Sequence, residues 1–301
     1  MAIDTFDRDR HVELETKSES LAHYDSPTHN SLHHTEHKET LPLKWAGGKR
    51  HILPHLTKFF LQGHLRYFEP FLGGGAAYFA FCPHKPFISD SNAELVNTYE
   101  AIRSDPAGVH RLYQRHRRQH SKEYYYSVRA SQPRSSHGTA ARMIYLNQAC
   151  FNGLYRVNQR GEFNVPIGSK RPTDFSLHQF TSWAHKLRGA QIRPLDFEES
   201  ISRSKPGDFI FADPPYALSS ANGSFLRYNE KIFSWDDQLR LFNCLKKAVH
   251  RGVRVVATNA SEPAIIELYA QIFDVREVRT KSYIAADSRH RGMGKEILIH
   301  G

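Results

Sequence analysis

The sequence predicts an α/β protein whose core is a mostly parallel, twisted sheet with helices on both faces. Three observations carry this. From Leu41 onward, short apolar runs bounded by turn residues alternate with amphipathic stretches of helical period. Strands separated by helices pair in parallel through crossovers, which cover both faces of the sheet. The alternation breaks once, at a basic block covering residues 104–186, which reads as a helical insertion between the second and third strands.

Taken in order, residues 1–40 are polar, rich in His, Ser, Thr and Glu, and without apolar period, so they read as a disordered tail. The tail carries His11, His23, His29, His33, His34 and His37, whose spacing matches no metal site and which no cysteine joins, so no metal is expected. A helix follows at Gly48–Phe60, a strand at Arg66–Glu69, a helix at Gly74–Ala80, a strand at Pro86–Ser89 and a helix at Asn92–Arg103. Inside the basic block, helical stretches are expected at about 105–118, 138–149 and 175–188. Beyond it come strands Gln191–Leu195 and Asp208–Ala212, helix Trp235–His250, strand Val253–Thr258, helix Glu262–Ile272, and strands Phe273–Val278 and Glu296–His300.

Composition narrows the function. Of 301 residues, 40% are hydrophobic and 24% charged, as in an ordinary globular protein. No run of eighteen apolar residues spans a membrane, and Met1 to Arg10 lack the apolar core of a secretory signal. Cys82, Cys150 and Cys244 are scattered, with neither metal-ligand spacing nor a disulfide framework, so a reduced, cytoplasmic setting is expected. The net charge is +10, and its distribution is uneven: −5 over residues 1–40, +3 over 41–103, +9 over 104–186 and +3 over 187–301. A concentrated basic block is the footprint of a phosphate-backbone partner; the alternative is a solvated basic surface.

Four segments carry chemistry. In Tyr67-Phe68-Glu69-Pro70-Phe71-Leu72-Gly73-Gly74-Gly75, a strand ends in a glycine-rich turn that lets backbone approach a ligand. The spacing is not the dinucleotide fingerprint, and a Gly-Lys-Ser/Thr phosphate loop is missing, which argues against a nucleoside triphosphate. Ser89-Asp90-Ser91-Asn92 ends the next strand: Asp90 is placed to accept from ribose hydroxyls, or else Asp90 or Ser91 caps the following helix. In Phe209-Ile210-Phe211-Ala212-Asp213-Pro214-Pro215-Tyr216, an apolar strand runs into a stiff turn. Its prolines remove two donors and leave the Asp213 carboxylate and the Pro214 carbonyl as acceptors, with Tyr216 as a flat face. Two acceptors and a ring match an exocyclic amine on an aromatic base; a plain rigid turn is the alternative. Finally, Leu43-Lys44-Trp45-Ala46-Gly47-Gly48-Lys49 is placed to fold back over the cleft, unless Trp45 is core and Lys49 a surface charge.

Together these segments, with Phe151-Asn152-Gly153-Leu154-Tyr155-Arg156 and its continuation to Gly168, resemble the Dam-like DNA adenine methylases of the D12 class, from about residue 41 to the end. The resemblance implies a Rossmann-like S-adenosylmethionine-dependent methyltransferase fold. Residues 41–103 and 187–301 would form the catalytic domain, and 104–186 an inserted helical target recognition domain. It implies that Trp45, Lys49, Glu69, Phe71, Gly73, Gly75, Asp90, Asp196, Phe197 and Asp213 hold S-adenosylmethionine. Asp213, Pro214, Pro215 and Tyr216 would receive the target adenine. Lys44, Phe151, Asn152, Leu154 and Arg156 would contact double-stranded DNA, with Arg156 reading a guanine as in GATC-specific members. The stretch Gln148-Ala149-Cys150-Phe151 and the segment Ser169–Thr173 depart from close GATC enzymes. A monomer acting on cytoplasmic, nucleoid DNA is expected, with a cognate restriction endonuclease as a candidate partner. Two alternatives stay open here: a methylase-like DNA-binding protein without activity, and an amine methyltransferase acting on cytosine N4 or on glutamine. Asp213 argues against the latter, since those enzymes usually carry Ser or Asn before the prolines.

Overall fold

The structure, a computed structural model, describes residues 40–45, 47–158, 160–216, 233–281 and 293–301. The expected tail over 1–40 thus lies outside the described residues except for Thr40.

Seven strands form one sheet: β1 (Tyr67–Glu69), β2 (Pro86–Asp90), β3 (Gln191–Pro194), β4 (Phe209–Ala212), β5 (Arg254–Ala260), β6 (Asp274–Lys281) and β7 (Met293–His300). Their order is β3-β2-β1-β4-β5-β7-β6. The first five are mutually parallel. β7 runs antiparallel between β5 and β6, closing the sheet edge with a hairpin-like pair. The chain winds outward from β1 through β2 to β3, then returns to the other side of β1 as β4. The strand order therefore reverses between β1 and β4, where ligands of such sheets bind.

Side chains alternate along the strands, as a period of two requires. Tyr67, Ile88, Phe209, Phe211, Val256 and Leu298 join one apolar cluster. Phe68, Phe87, Ile210, Ala212, Val255, Ala257, Ile297 and Ile299 join the other. The second face is covered by α8 (Phe197–Ser202), α9 (Trp235–His250) and α10 (Pro263–Ala270). The first is covered by α1 (Leu53–Phe60), α2 (Ala76–Phe81) and α3 (Ala93–Ser104).

The block between β2 and β3 adds α4 (Pro106–Arg118), α5 (Lys122–Ala130), α6 (Ser136–Ala149) and α7 (Leu177–Leu187). Buried Tyr113, Tyr125, Ile144, Tyr145, Phe180 and Trp183 belong to the same cluster as the first sheet face. The helices of the block are thus packed onto the sheet's own core. On α4, Arg111, Arg115 and Arg118 are exposed at helical spacing.

Two expectations needed correction. The helix expected over Gly48–Phe60 is a short 3₁₀ turn, Lys49–His51, followed by α1, with Pro54 in the first turn of α1. The basic block also holds a helix not foreseen, α5, capped by Ser121, whose hydroxyl accepts from the Tyr124 amide. Its three consecutive tyrosines hide the period that buries Tyr125 and Val128. Among the described residues no helix is long and apolar enough to cross a membrane.

Candidate active site

Neighbouring strands deliver acidic groups to one end of the sheet: β1 ends at Glu69, β2 at Asp90, β3 leads into Asp196 and β4 into Asp213. The glycine turn after β1 sits among them. Gly73 and Gly75 have φ of +46° and +67°, a region that side chains disfavour. A Cβ on Gly73 would lie 2.7 Å from the Trp45 ring, so the indole packs directly on the turn.

Asp90 ties this turn to β2. Its Oδ2 accepts from the Gly73 amide and its Oδ1 from the Asn92 amide, each at 2.9 Å. The helix-cap alternative for Asp90 or Ser91 is corrected: Asn92 caps α3, its side chain accepting from Glu94 N and Leu95 N. Burial holds the Asp90 carboxyl above its ordinary range, against the pull of those two amides.

Glu69 is buried, and the Tyr67 hydroxyl donates to its Oε2 at 2.7 Å. Burial pushes its pKa up to about 8; the Tyr67 bond opposes this, and the Asp213 and Asp90 carboxylates add to the rise. Phe71 stacks on Phe197 at 5.3 Å, and Phe233 packs against both rings. Asp196 stands on the rim, capping α8 through Glu198 N and pairing with Arg240 at 2.9 Å.

Beyond β4, Asp213 is fixed through one oxygen. Its Oδ1 accepts from Thr258 Oγ1 at 2.6 Å and lies 3.1 Å from Lys49 Nζ. Burial raises the Asp213 pKa against both of these partners. Lys49 is not a surface charge: its side chain is 3% exposed. Its ammonium also donates to Gly47 O at 2.7 Å and lies 4.3 Å from the Tyr216 ring centroid. Pro214 is buried and Pro215 exposed in the turn between Asp213 and Tyr216.

A second group of residues borders this cleft. The Trp45 ring lies between the glycine turn and Tyr155, so it is not plain core. Phe151 is 47% exposed, and Asn152 beside it is exposed with φ of +55°. Arg156 is exposed and donates from Nε to Asn164 Oδ1 at 2.7 Å. Leu154 is half-buried against the core. Lys44 crosses Gly153, where a Cβ would lie 2.6 Å from the lysine chain.

Several residues here were not foreseen. Buried Asn147 accepts from Lys44 N at 2.8 Å and donates to Lys44 O at 2.8 Å and to Gly153 O at 3.2 Å. One amide thus fastens the 43–49 segment to the 151–156 loop. Thr258, Glu296 and His51 join the Asp213 cluster. Thr258 had a signal, a polar residue ending the apolar run Val255–Ala257. Glu296 had none, being distant in sequence from every motif, and His51, two residues after Lys49, had only that proximity.

A family model described as D12 class N6 adenine-specific DNA methyltransferase matches residues 45–284. The chain belongs to this family. It is a DNA adenine methyltransferase. Among curated relatives, the type II methyltransferase M1.LlaDCHI of Lactococcus lactis subsp. cremoris is 37% identical, over 85% of this chain and 93% of that one. The type II methyltransferase M.MjaIII of Methanocaldococcus jannaschii is 33% identical, over 85% and 97%. A DNA adenine methylase of Vibrio cholerae is 30% identical, over 81% and 91%.

Proposed function

We propose that this methyltransferase moves the methyl group of S-adenosylmethionine to N6 of an adenine extruded from duplex DNA, within a short GATC-like site. The observation that carries the reading is the placement of Asp213 and Tyr216 at the carboxyl end of β4, beside the glycine turn that follows β1.

The cleft suits that donor. Gly73 and Gly75 let the turn bend tightly beneath Trp45 and Phe79, and the Phe71–Phe197 pair offers an aromatic surface beside it. Asp90 and Asp213 favour a ligand that carries positive charge, with Asp90 at the ribose, protonated Glu69 beside them, and Trp45 and Asp196 at the rim. When bound, S-adenosylmethionine supplies an electrophilic methyl group on a sulfonium centre.

The protein's part is orientation. Lys49 and Thr258 both fall on Oδ1 of Asp213, and among the described residues this leaves Oδ2 to accept from the adenine amine. The Pro214 carbonyl takes the second amine hydrogen, and Tyr216 stacks on the base. The Lys49 ammonium lies against one face of that ring. Holding both hydrogens aims the nitrogen lone pair at the methyl group, a gain of positioning and of charge stabilisation. Extrusion costs a few kcal/mol, offset where Phe151 and Asn152 fill the gap.

The helical block 104–186 is the target recognition domain in this reading, with Lys44 and Arg156 reading bases. Exposed Arg111, Arg115, Arg118, Arg160, Lys170 and Arg171 supply phosphate contacts. The enzyme acts as a monomer on cytoplasmic DNA, with a cognate restriction endonuclease as a partner. Sequencing DNA methylated in a host without other methylases tests the reading: N6-methyladenine in one short context is expected, and N4-methylcytosine would replace it.

A further inference from the structure

We propose that Glu296 is a positioning residue for methyl transfer, fixing the direction of the Tyr216 ring's long axis through the tyrosine hydroxyl. The inference rests on the reading of Asp213 and Tyr216 given above and adds to it a residue from the far end of the chain.

Glu296 lies on β7, hydrogen-bonded into the ladder on both sides, opposite Ala260 of β5 and Val278 of β6. A strand interior to the sheet is a rigid base for a side chain. The carboxylate is 14% exposed and held at both oxygens. His51 Nε2 donates to Oε1 at 3.1 Å, and the Tyr216 hydroxyl donates to Oε2 at 3.1 Å. Lys49 Nζ lies 4.0 Å from the same Oε2. The His51 and Lys49 contacts keep the carboxyl below its ordinary range although burial alone would raise it, so it stays an ionised acceptor at neutral pH.

The need for such a partner follows from the turn itself. Pro214 and Pro215 fix the backbone, but they do not set the swing of the Tyr216 side chain about Cα–Cβ, which has several staggered wells and carries the whole ring with it. A base stacked on that ring takes its plane. A tilted ring therefore swings the amine away from Asp213, which Thr258 holds in place. A charge-assisted bond to the hydroxyl, which lies on the ring's long axis, holds that axis against the swing. The other neighbours, Lys49 and His51, then set the carboxylate's own orientation.

A double-mutant cycle tests this, with kcat, KM and site-specific DNA affinity measured for Glu296→Ala, Tyr216→Phe and the double variant on a duplex carrying the enzyme's own methylated site. Glu296→Ala is expected to lower kcat about tenfold or more, the worth of a hydrogen bond to a charged acceptor, with KM for DNA within about threefold. In the Tyr216→Phe background, which lacks the hydroxyl, the same change is expected to cost less than about twofold, because the two residues act as one unit. Glu296→Gln keeps an acceptor oxygen and is expected to recover most of kcat. A 2-aminopurine placed at the target position should be quenched by stacking in the wild type and in Glu296→Gln, and brighter in Glu296→Ala. Additive losses in the cycle, or a Glu296→Gln variant as slow as Glu296→Ala, would overturn the proposal while the methylase reading stood. A wild type that forms no N6-methyladenine would overturn both.

Discussion

The indole of Trp45 lies on the ring of Tyr155, with centroids 5.3 Å apart and planes 22° apart. The indole also meets Gly73, and the Trp45 Cβ lies over Gly74. The loop carrying Phe151 to Arg156 is thus seated on the wall of the proposed cofactor cleft, and Asn147 fastens it a second time. Stacked aromatic pairs contribute about 0.5–1.5 kcal/mol. We predict that Tyr155→Ala weakens S-adenosylhomocysteine binding and blunts site preference together, each by about 2- to 12-fold. Tyr155→Phe should keep both. Calorimetry and rates on single-base variants of the site check this; loss of one property alone would uncouple the two.

Gly73 should tolerate no side chain. An alanine there would hold φ of +46° and place its Cβ 2.7 Å from Trp45. The backbone strain alone is about 1–2 kcal/mol, and the displaced indole adds to it. Gly73→Ala is expected to lower cofactor affinity by about tenfold or more with the circular dichroism of the fold unchanged. Equal binding by calorimetry would remove the turn from the cofactor site.

Glu69 gives a pH dependence whose sign is fixed. In the folded chain it keeps its proton up to about pH 8, against an ordinary value of 4.5. Between those values the folded state binds more protons than the unfolded one. Its contribution to stability is therefore fully present at the acid end and is lost as pH rises through the folded value. Glu69→Gln, which cannot ionise, should show a smaller fall in Tm from about pH 5 to about pH 8. An unchanged slope would mean that Glu69 is ionised in the free protein.

Arg156 is held out to solvent by Asn164. As a guanine reader its loss should cost about 1–3 kcal/mol of discrimination at one base pair, with non-specific binding little changed. If specific and non-specific affinity fell in parallel, with a shallower salt dependence, Arg156 would be a phosphate contact.

The parallel sheet was legible because its inner strands are buried on both faces and so read as apolar runs, as Phe209–Ala212 does. The turns after β1 and β4 were legible because glycines and prolines state their geometry locally. Four features were not. The 3₁₀ turn at Lys49–His51 is imposed by the approach of Lys49 to Asp213, a contact across 164 positions that no local pattern encodes. Helix α5 is masked by consecutive tyrosines that face both core and solvent. Asn147 and Glu296 act through single side chains on a helix and a strand whose periodicity reports only burial. The capping of α3 by Asn92 was missed because Asp90, Ser91 and Asn92 are all good caps, and the Gly73 amide decides among them.

The central claim is that Asp213 holds the adenine amine during transfer. The most direct measurement is the single-turnover rate of labelled methyl transfer from S-adenosylmethionine to a duplex carrying the site, comparing Asp213→Ala with the wild type, alongside DNA binding by both. Removing a group that acts mainly in the transition state should lower the rate by about 1,000-fold or more and leave the dissociation constant for DNA within about threefold. A variant that methylates adenine at a rate within about tenfold of the wild type would contradict the account.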